Sequence, residues 1–423
     1  MEIAIILTFL IGYAAIALEH PIKIDKAASA LLTGVLCWTI YVFSQPDKEV
    51  VSHEVISHLG EISGILFFLL GAMTIVELID AHDGFQIITD KIKTQSLLKL
   101  IWIISTITFF MSAALDNLTT TIVIVTMLRK ILGDREKRLL VVGLAILAAN
   151  AGGAWSPIGD VSTTMLWIGG QITTLKIITG VFLPSVVCLL VPLIWISIKM
   201  RGTFEIPEVD EAASTAIPSE RSFLFFLGLG IFIFVPIFKT VTHLPPFMGM
   251  LLGLGVIWVV TELIHKPKDD EVKEELSVVN ALQRIDAPSI LFFLGILLSI
   301  SALQSSGLLS HAATWLAESV GNDTVIILVL GLFSAIVDNV PLVAAVQGMY
   351  TLQHYPTDSY FWEFLAYAAG TGGSTLIIGS AAGVAAMGME KIDFFWYFKK
   401  ISFLALLGYL AGAATYIIEH SFR

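Results

Sequence analysis

Long apolar runs separated by short polar stretches dominate the chain. The runs at 2–18, 28–43, 60–79, 177–198, 222–238, 246–264, 285–303 and 394–418 are mostly long enough to cross a hydrocarbon core, which takes about 20 helical residues. At that depth only helices or closed barrels satisfy their own backbone groups. The pattern therefore predicts an all-α polytopic membrane protein. Two further apolar stretches are interrupted by acids: Asp116-Asn117 breaks 98–133 and Asp338-Asn339 breaks 323–353. The arms around Asp338, 323–337 and 340–353, are too short to cross comfortably at about 1.5 Å per residue. A re-entrant hairpin with its tip near the midplane is expected in each case; the alternative is a tight outer turn, where Asp-Asn is ordinary turn chemistry. Pro341 favours an opened backbone at the second tip. The segments 139–170 and 359–389 are broken as well, by NAGGAWSPIGD from Asn150 to Asp160 and by GTGGSTLIIGS from Gly370 to Ser380. Glycine and proline lower helix propensity there. Unwound backbone survives in a membrane only where it lines a cavity or is buried in protein; a glycine-rich, close-packed helix is the other reading of either segment.

The interruptions recur in order. ILFF stands at 65–68 and 290–293, SAALDN (112–117) matches SAIVDN (334–339), ANAGGAWSPIG (149–159) matches AGTGGSTLIIG (369–379), and the first two runs map onto roughly 224–240 and 250–265. Four blocks at nearly one offset indicate a duplication. If the N-terminus is outside, hairpin 98–133 enters from the cytoplasm and hairpin 323–353 from outside. All of the 24 Lys and Arg residues except Lys48, Lys176, Lys239 and Arg423 then fall on the cytoplasmic side, as the positive-inside rule requires. Each half holds five spanning helices plus one hairpin, and an odd number of spans inverts the second half. The expected organisation is a first inverted repeat at 1–200 and a second at 222–423, with solvated cytoplasmic linkers at 201–221 and 265–284 and a solvated turn at 134–138. Both termini are expected outside the cytoplasm, in an inner membrane. Ala15-Ile16-Ala17 resembles a signal-peptidase site, but Met1-Glu2 is not a basic start, so the first run reads as a retained helix. Inverted repeats with irregular mid-membrane segments are a common build of secondary transporters.

Composition agrees: 56% of residues are hydrophobic and 14% charged, against about 25% charged in a soluble domain. The net charge of −11 comes from loops and buried acids together and points to no partner. No basic patch suggests nucleic acid. Cys37 and Cys188 lie inside apolar runs and read as packing residues, and the histidines sit in loops or near helix ends without metal-ligand spacing. No cofactor is expected.

The sign of the buried charge carries the functional reading. Asp116, Asp160 and Asp338 fall inside the expected core with no Lys or Arg beside them, and ionisable residues within spans mark ion or proton pathways. Three carboxylates would repel citrate or a dicarboxylate, whereas a cation needs them. Hydroxyls and amides at Ser112, Asn117, Thr119, Thr120, Asn150, Ser156, Asn339, Thr371, Ser374 and Thr375 can complete an oxygen shell. A proton competes with the cation for the same carboxylates. Glu77, near the cytoplasmic end of run 60–79, suits a proton path or an interfacial capping role equally.

These residues resemble the NhaD-type sodium/proton antiporters of the ion transporter superfamily. The likeness covers nearly the whole chain and is carried by SAALDNLTTTIV, ANAGGAWSPIGDVSTTMLW, SAIVDNVPLVAA and GTGGSTLIIGSAAG. Dicarboxylate carriers of the superfamily show Ser-Asn-Thr signatures at the two tips. Here the tips read Leu115-Asp116-Asn117-Leu118-Thr119 and Val337-Asp338-Asn339-Val340-Pro341, a departure that weakens a dicarboxylate assignment. The resemblance implies Na+ or Li+ exchanged for H+ across the lipid bilayer, with Na+ at Asp116, Asn117, Asn150 and Asp160. It also implies a scaffold part and a mobile transport part in a homodimer. Two readings stay open beside it. One is a sodium-coupled symporter of citrate, a dicarboxylate or a related small anion on the same fold; the other is a membrane-embedded enzyme, for which no nucleophile–base pair or nucleotide loop is found.

Overall fold

A computed structural model of the chain describes residues 2–89, 94–199 and 218–422; nearly all of the expected linker 201–221 lies outside the described residues. Among those residues there is no strand, and nine helices are long and apolar enough to cross a membrane. Large side chains such as Leu32, Val35, Phe226 and Leu263 remain exposed on them. In water such a surface would be an association site, but against lipid tails it costs nothing. The chain is an all-α, polytopic integral membrane protein.

Most expected runs appear as helices with shifted ends. Run 60–79 is the apolar part of Lys48–Ala81, a helix of 34 residues started by Asp47, whose carboxylate accepts from the Glu49 and Val50 amides. At 1.5 Å per residue it is about 50 Å long, so its polar first third projects beyond a hydrocarbon core of about 30 Å. Run 394–418 becomes Phe394–Tyr397, a π turn at Phe398–Ser402 and Phe403–Ser421. Hairpin 98–133 is resolved into Leu97–Leu115 and Asn117–Ile131, and hairpin 323–353 into Asp323–Phe333 and Asn339–Met349. The first arm of the first hairpin, at 19 residues, is by itself long enough to cross. The arms of the second, at 11 residues each, are not.

Two segments differ from the sequence reading. Leu308–Val320 is a helix that no apolar run announced; it buries Leu309 and Ala313 while Trp315 faces out. It meets Asp323–Phe333 at 119°, turning at Gly321, whose φ of 65° is a state glycine enters cheaply. Its polar face hides it from a search for apolar runs. The connector 265–284 is helical and partly packed, while its charged first part stays exposed. It forms Asp270–Glu275 and Val278–Arg284 and buries Leu276, Val278 and Ala281, the second helix lying against Lys48–Ala81. Beside it His82 and His265 stack with ring centroids 5.0 Å apart and Nε2 atoms 3.0 Å apart, both rings buried.

The broken spans and hairpins pack as two similar units. In the first, Leu97–Leu115 crosses Arg135–Ala154 so closely that a Cβ on Gly152 would stand 2.1 Å from the Phe109 carbonyl oxygen. In the second, Asp323–Phe333 crosses Tyr360–Gly372 with a Cβ on Gly372 2.0 Å from the Gly331 oxygen. Only glycine fits either crossing. The hydroxyls of Ser112 and Ser334 then donate across the same two crossings, to Ala149 O at 2.6 Å and Ala369 O at 3.1 Å. Both units lie in one large hydrophobic cluster. Glu2–Ala17, Lys26–Ser44 and Ala287–Ser305 form a second cluster, on which Met165, Val340 and Ala344 lean.

Candidate cation site

Each unit brings two helix breaks to one place. Asp116 ends Leu97–Leu115 and starts Asn117–Ile131, and Asp160 starts Val161–Ile168 after the break that follows Arg135–Ala154. In the second unit Asp338 precedes Asn339–Met349, and Ser380 starts Ala381–Glu390. Helix ends of both signs thus face the centre, with amides suited to carboxylates and free carbonyls suited to a small cation.

Asp160 is the hub. It is buried, and its Oδ1 accepts from the amide and hydroxyl of Ser162. Its Oδ2 accepts from Asn117 Nδ2 at 2.5 Å, and the same nitrogen lies 2.9 Å from Asn150 Oδ1. Asn150 in turn donates to Ser374 Oγ at 3.0 Å and Ser380 Oγ at 2.9 Å, joining the two units. Asn339 approaches from the opposite hairpin. Its amide nitrogen donates to Ala369 O and Gly379 O at 3.0 and 3.1 Å, while its remaining amide atom, the oxygen, stands 3.5 Å from Asp160 Oδ2; two backbone acceptors fix this orientation. A carbonyl oxygen facing a carboxylate oxygen at that spacing is an arrangement a shared cation stabilises.

Asp116 accepts from the Thr119 amide and hydroxyl, each at 2.8 Å, and senses the charge of Asp160. Its φ of 83° with ψ of 162° is a state ordinarily confined to glycine, at a cost of about 1–3 kcal/mol for other residues. Strain of this kind persists where the surroundings force a side chain into position. Ser156 donates to Ala113 O at 2.5 Å and so ties the first break to the first hairpin. Thr120 and Thr375 carry buried hydroxyls with no hydrogen-bond partner among the described residues, as does Thr163, leaving each free to serve a ligand.

Not every expected residue joins this network. Thr371 donates back to Tyr367 O on its own helix at 2.6 Å. Glu77 pairs with Arg284 at 3.8 Å and makes no hydrogen bond to the site. Asp338 makes no hydrogen bond to Asn117 or Asn150 among the described residues and shares a small cavity with Lys26, which corrects the expectation that no basic residue accompanies the three acids; the helix that carries Lys26 is remote in sequence. Ser162, Thr163 and Ser380 were not singled out in advance. The capping pattern Asp160-Val-Ser162 and the mirrored position of Ser380 were the available signals. Of the turn 134–138, Arg138 is drawn inward: with Arg129 it binds the buried Glu390, at 3.0 and 2.6 Å, clamping the end of the second break to the first unit.

Two cavities open near the helices that carry these residues. One of about 450 Å³ is lined by His58, Glu61, Met165, Gln171, Gln304 and Gln347, and one of about 80 Å³ by Tyr13, Glu19, Lys26 and Asp338.

Two acids, three asparagines and several hydroxyls are thus gathered at opposed helix breaks. A family profile described as "Citrate transporter" matches residues 6–372. The chain is 49% identical to "Sodium/proton antiporter 1" of Arabidopsis thaliana over 99% of this chain and 73% of that protein, and 47% identical to "Sodium/proton antiporter 2" over 98% and 99%. It is 30% identical to "Na(+)/H(+) antiporter NhaD" of Vibrio cholerae over 98% and 91%. The chain belongs to the NhaD-type antiporter family. The relatives that carry this assignment are described as antiporters, which are transport proteins.

Proposed function

We propose that this protein exchanges Na+ for H+ across the membrane, and that Asp116, Asn117, Asn150 and Asp160 hold the sodium ion. The observation that carries the reading is the pairing of Asp116 and Asp160 with amides and hydroxyls, with no Lys or Arg touching either acid among the described residues. A carboxylate at membrane depth requires a positive partner. Here that partner is the transported ion: a proton on Asp160 or Asp116 removes the negative charge that sodium needs, and sodium displaces the proton. Each ion expels the other from the same oxygens, so coupling needs no separate proton wire. Li+, also small and hard, suits the same oxygens.

The reading extends to architecture. Residues 1–200 and 222–423 form two inverted repeats, each of five spans and one re-entrant hairpin, in an inner membrane with both termini outside the cytoplasm. The units bearing the hairpins move against the helices that carry the second hydrophobic cluster, in a homodimer as the family resemblance implies. Single cysteines at positions 96 and 135 are then labelled from the cytoplasm and one at 322 from outside. Labelling of 135 and 322 from one face removes the inversion.

The functional test is sodium-dependent proton movement in vesicles holding the purified protein, with citrate and succinate uptake as controls. Sodium-driven uptake of either anion without proton exchange would replace this reading by anion symport.

A further inference from the structure

Asp116 and Asp338 occupy matching hairpin tips but keep different company. Asp116 commits both carboxylate oxygens to Thr119. Asp338 makes no side-chain capping bond and instead lines the smaller cavity with Tyr13, Glu19 and Lys26. Lys26 lies within Coulombic range of it. The ammonium of Lys26 sits 4.9 Å from the centroid of the Phe292 ring, which steadies a cation on that wall. Glu19 accepts from the backbone amide of Lys26, at 3.4 Å. Lys26 opens the helix Lys26–Ser44 and Asp338 precedes Asn339–Met349 of the second unit; the two helices are remote in sequence and meet in the second hydrophobic cluster through Ala27, Ala30, Val340 and Ala344.

Resting on the sodium/proton reading, we propose that Lys26 is a positioning residue for exchange: its ammonium is a tethered counter-cation that competes with the transported cation at Asp338. A carboxylate in a poorly hydrated cavity requires one positive charge nearby. Lys26 supplies it without being transported. Sodium approaching Asp338 must displace or oppose that ammonium, so sodium is held more weakly there and the ion is directed to Asp116 and Asp160. While Asp338 carries no other cation, the pair also holds the hairpin tip against Lys26–Ser44.

Sodium titration by calorimetry on the purified full chain tests this, using Lys26→Met, Lys26→Gln and Lys26→Arg in the wild-type and Asp338→Asn backgrounds. Removing a competing unit charge at close range is expected to tighten sodium binding about tenfold in the Met and Gln variants. Arg keeps the charge and leaves the affinity near wild type. In the Asp338→Asn background the Met and Gln changes should have no effect. Unchanged or weaker binding in Lys26→Met and Lys26→Gln overturns the proposal, and so does an equal shift in the Asp338→Asn background, which would mark Lys26 as a packing residue on Phe292. Wild-type protein that binds no sodium overturns the exchange reading together with this one, whereas normal wild-type binding with indifferent Lys26 variants overturns this one alone.

Discussion

The two hairpin-and-break units share a framework and differ in charge. Gly152 and Gly372 make equivalent crossings, and Ser112 and Ser334 donate across them to equivalent carbonyls. Asn117 and Asn339 both reach toward Asp160. At the breaks, however, the first unit has Asn150 and Asp160 where the second has Gly370 and Ser380. Asp160 and Ser380 do the same backbone work, each starting a short helix through a side-chain oxygen. Only Asp160 adds a charge. The shared framework holds helix ends open at one place, and the unshared side chains decide what they hold. The first unit offers two acids in a network of neutral donors; the second offers one acid, which shares a small cavity with a lysine.

The largest predicted effect breaks this comparison at its centre. Asp160→Asn and Asp116→Asn each keep the side-chain shape and remove the charge. Both should lower sodium-dependent proton movement in vesicles at least tenfold, about 1.4 kcal/mol by rate arithmetic, at undiminished membrane expression. Ser380→Ala, which removes the bond from Asn150 and the cap on the Gly383 amide but no charge, should lower exchange less than about tenfold. Comparable losses for Asp160→Asn and Ser380→Ala would make the two breaks functionally alike and refute the asymmetry.

The shared framework should fail equally in both units. Gly152→Ala and Gly372→Ala each push a methyl into a carbonyl oxygen, and overpacking typically costs about 1–3 kcal/mol or more. Both should reduce the yield of folded, monodisperse protein in size-exclusion runs. If one substitution is silent, the two crossings are not equivalent.

Acid competition sharpens the picture of the first unit. As pH falls, more of the free site is protonated, so the apparent sodium affinity should drop up to about tenfold per pH unit for each competing proton, with much less change in the rate at saturating sodium. Proton release on sodium binding should be seen by calorimetry in buffers of different ionisation enthalpy. An affinity independent of pH rules out direct competition.

The smallest effect lies outside the hydrogen-bonded site network, at the His82–His265 stack. Burial holds His82 below its ordinary value of 6.5, outweighing the hydrogen bond from its ring to Leu78 O that opposes it. A lowered value in the folded chain means that the unfolded chain binds the proton first. Stability from this contact is therefore intact above about pH 6.5 and is lost as pH falls below it, toward the folded value. Thermal unfolding in detergent at about pH 8 and about pH 5.5 should show a larger acid penalty for wild type than for His82→Gln. Equal penalties would remove His82 from the account.

Much of this was legible along the chain. Apolar runs of membrane length gave the spans, and Asp-Asn inside two such runs marked the interruptions at Asp116 and Asp338. The amphipathic helix Leu308–Val320 was not legible, because alternating its faces leaves no uninterrupted apolar run. The folding of 265–284 was hidden too, since a charged stretch reads as solvated unless its few apolar residues, Leu276, Val278 and Ala281, are known to meet a partner. At the candidate site the types of residue were readable but not their division of labour. Thr371 and Ser374 sit three positions apart on either side of one helix end, yet only Ser374 meets Asn150.

By itself the sequence determined the membrane environment, the helical class and the positions where helices must break, because hydrophobic length and the poor helix propensity of glycine and proline act locally. Only the tertiary structure decided that Asp160, rather than either hairpin tip, is the hub, and that Lys26 shares a small cavity with Asp338. Those contacts join residues far apart in the chain. Charge in a low-dielectric interior is governed by such neighbours in space, and spacing along a sequence does not record them.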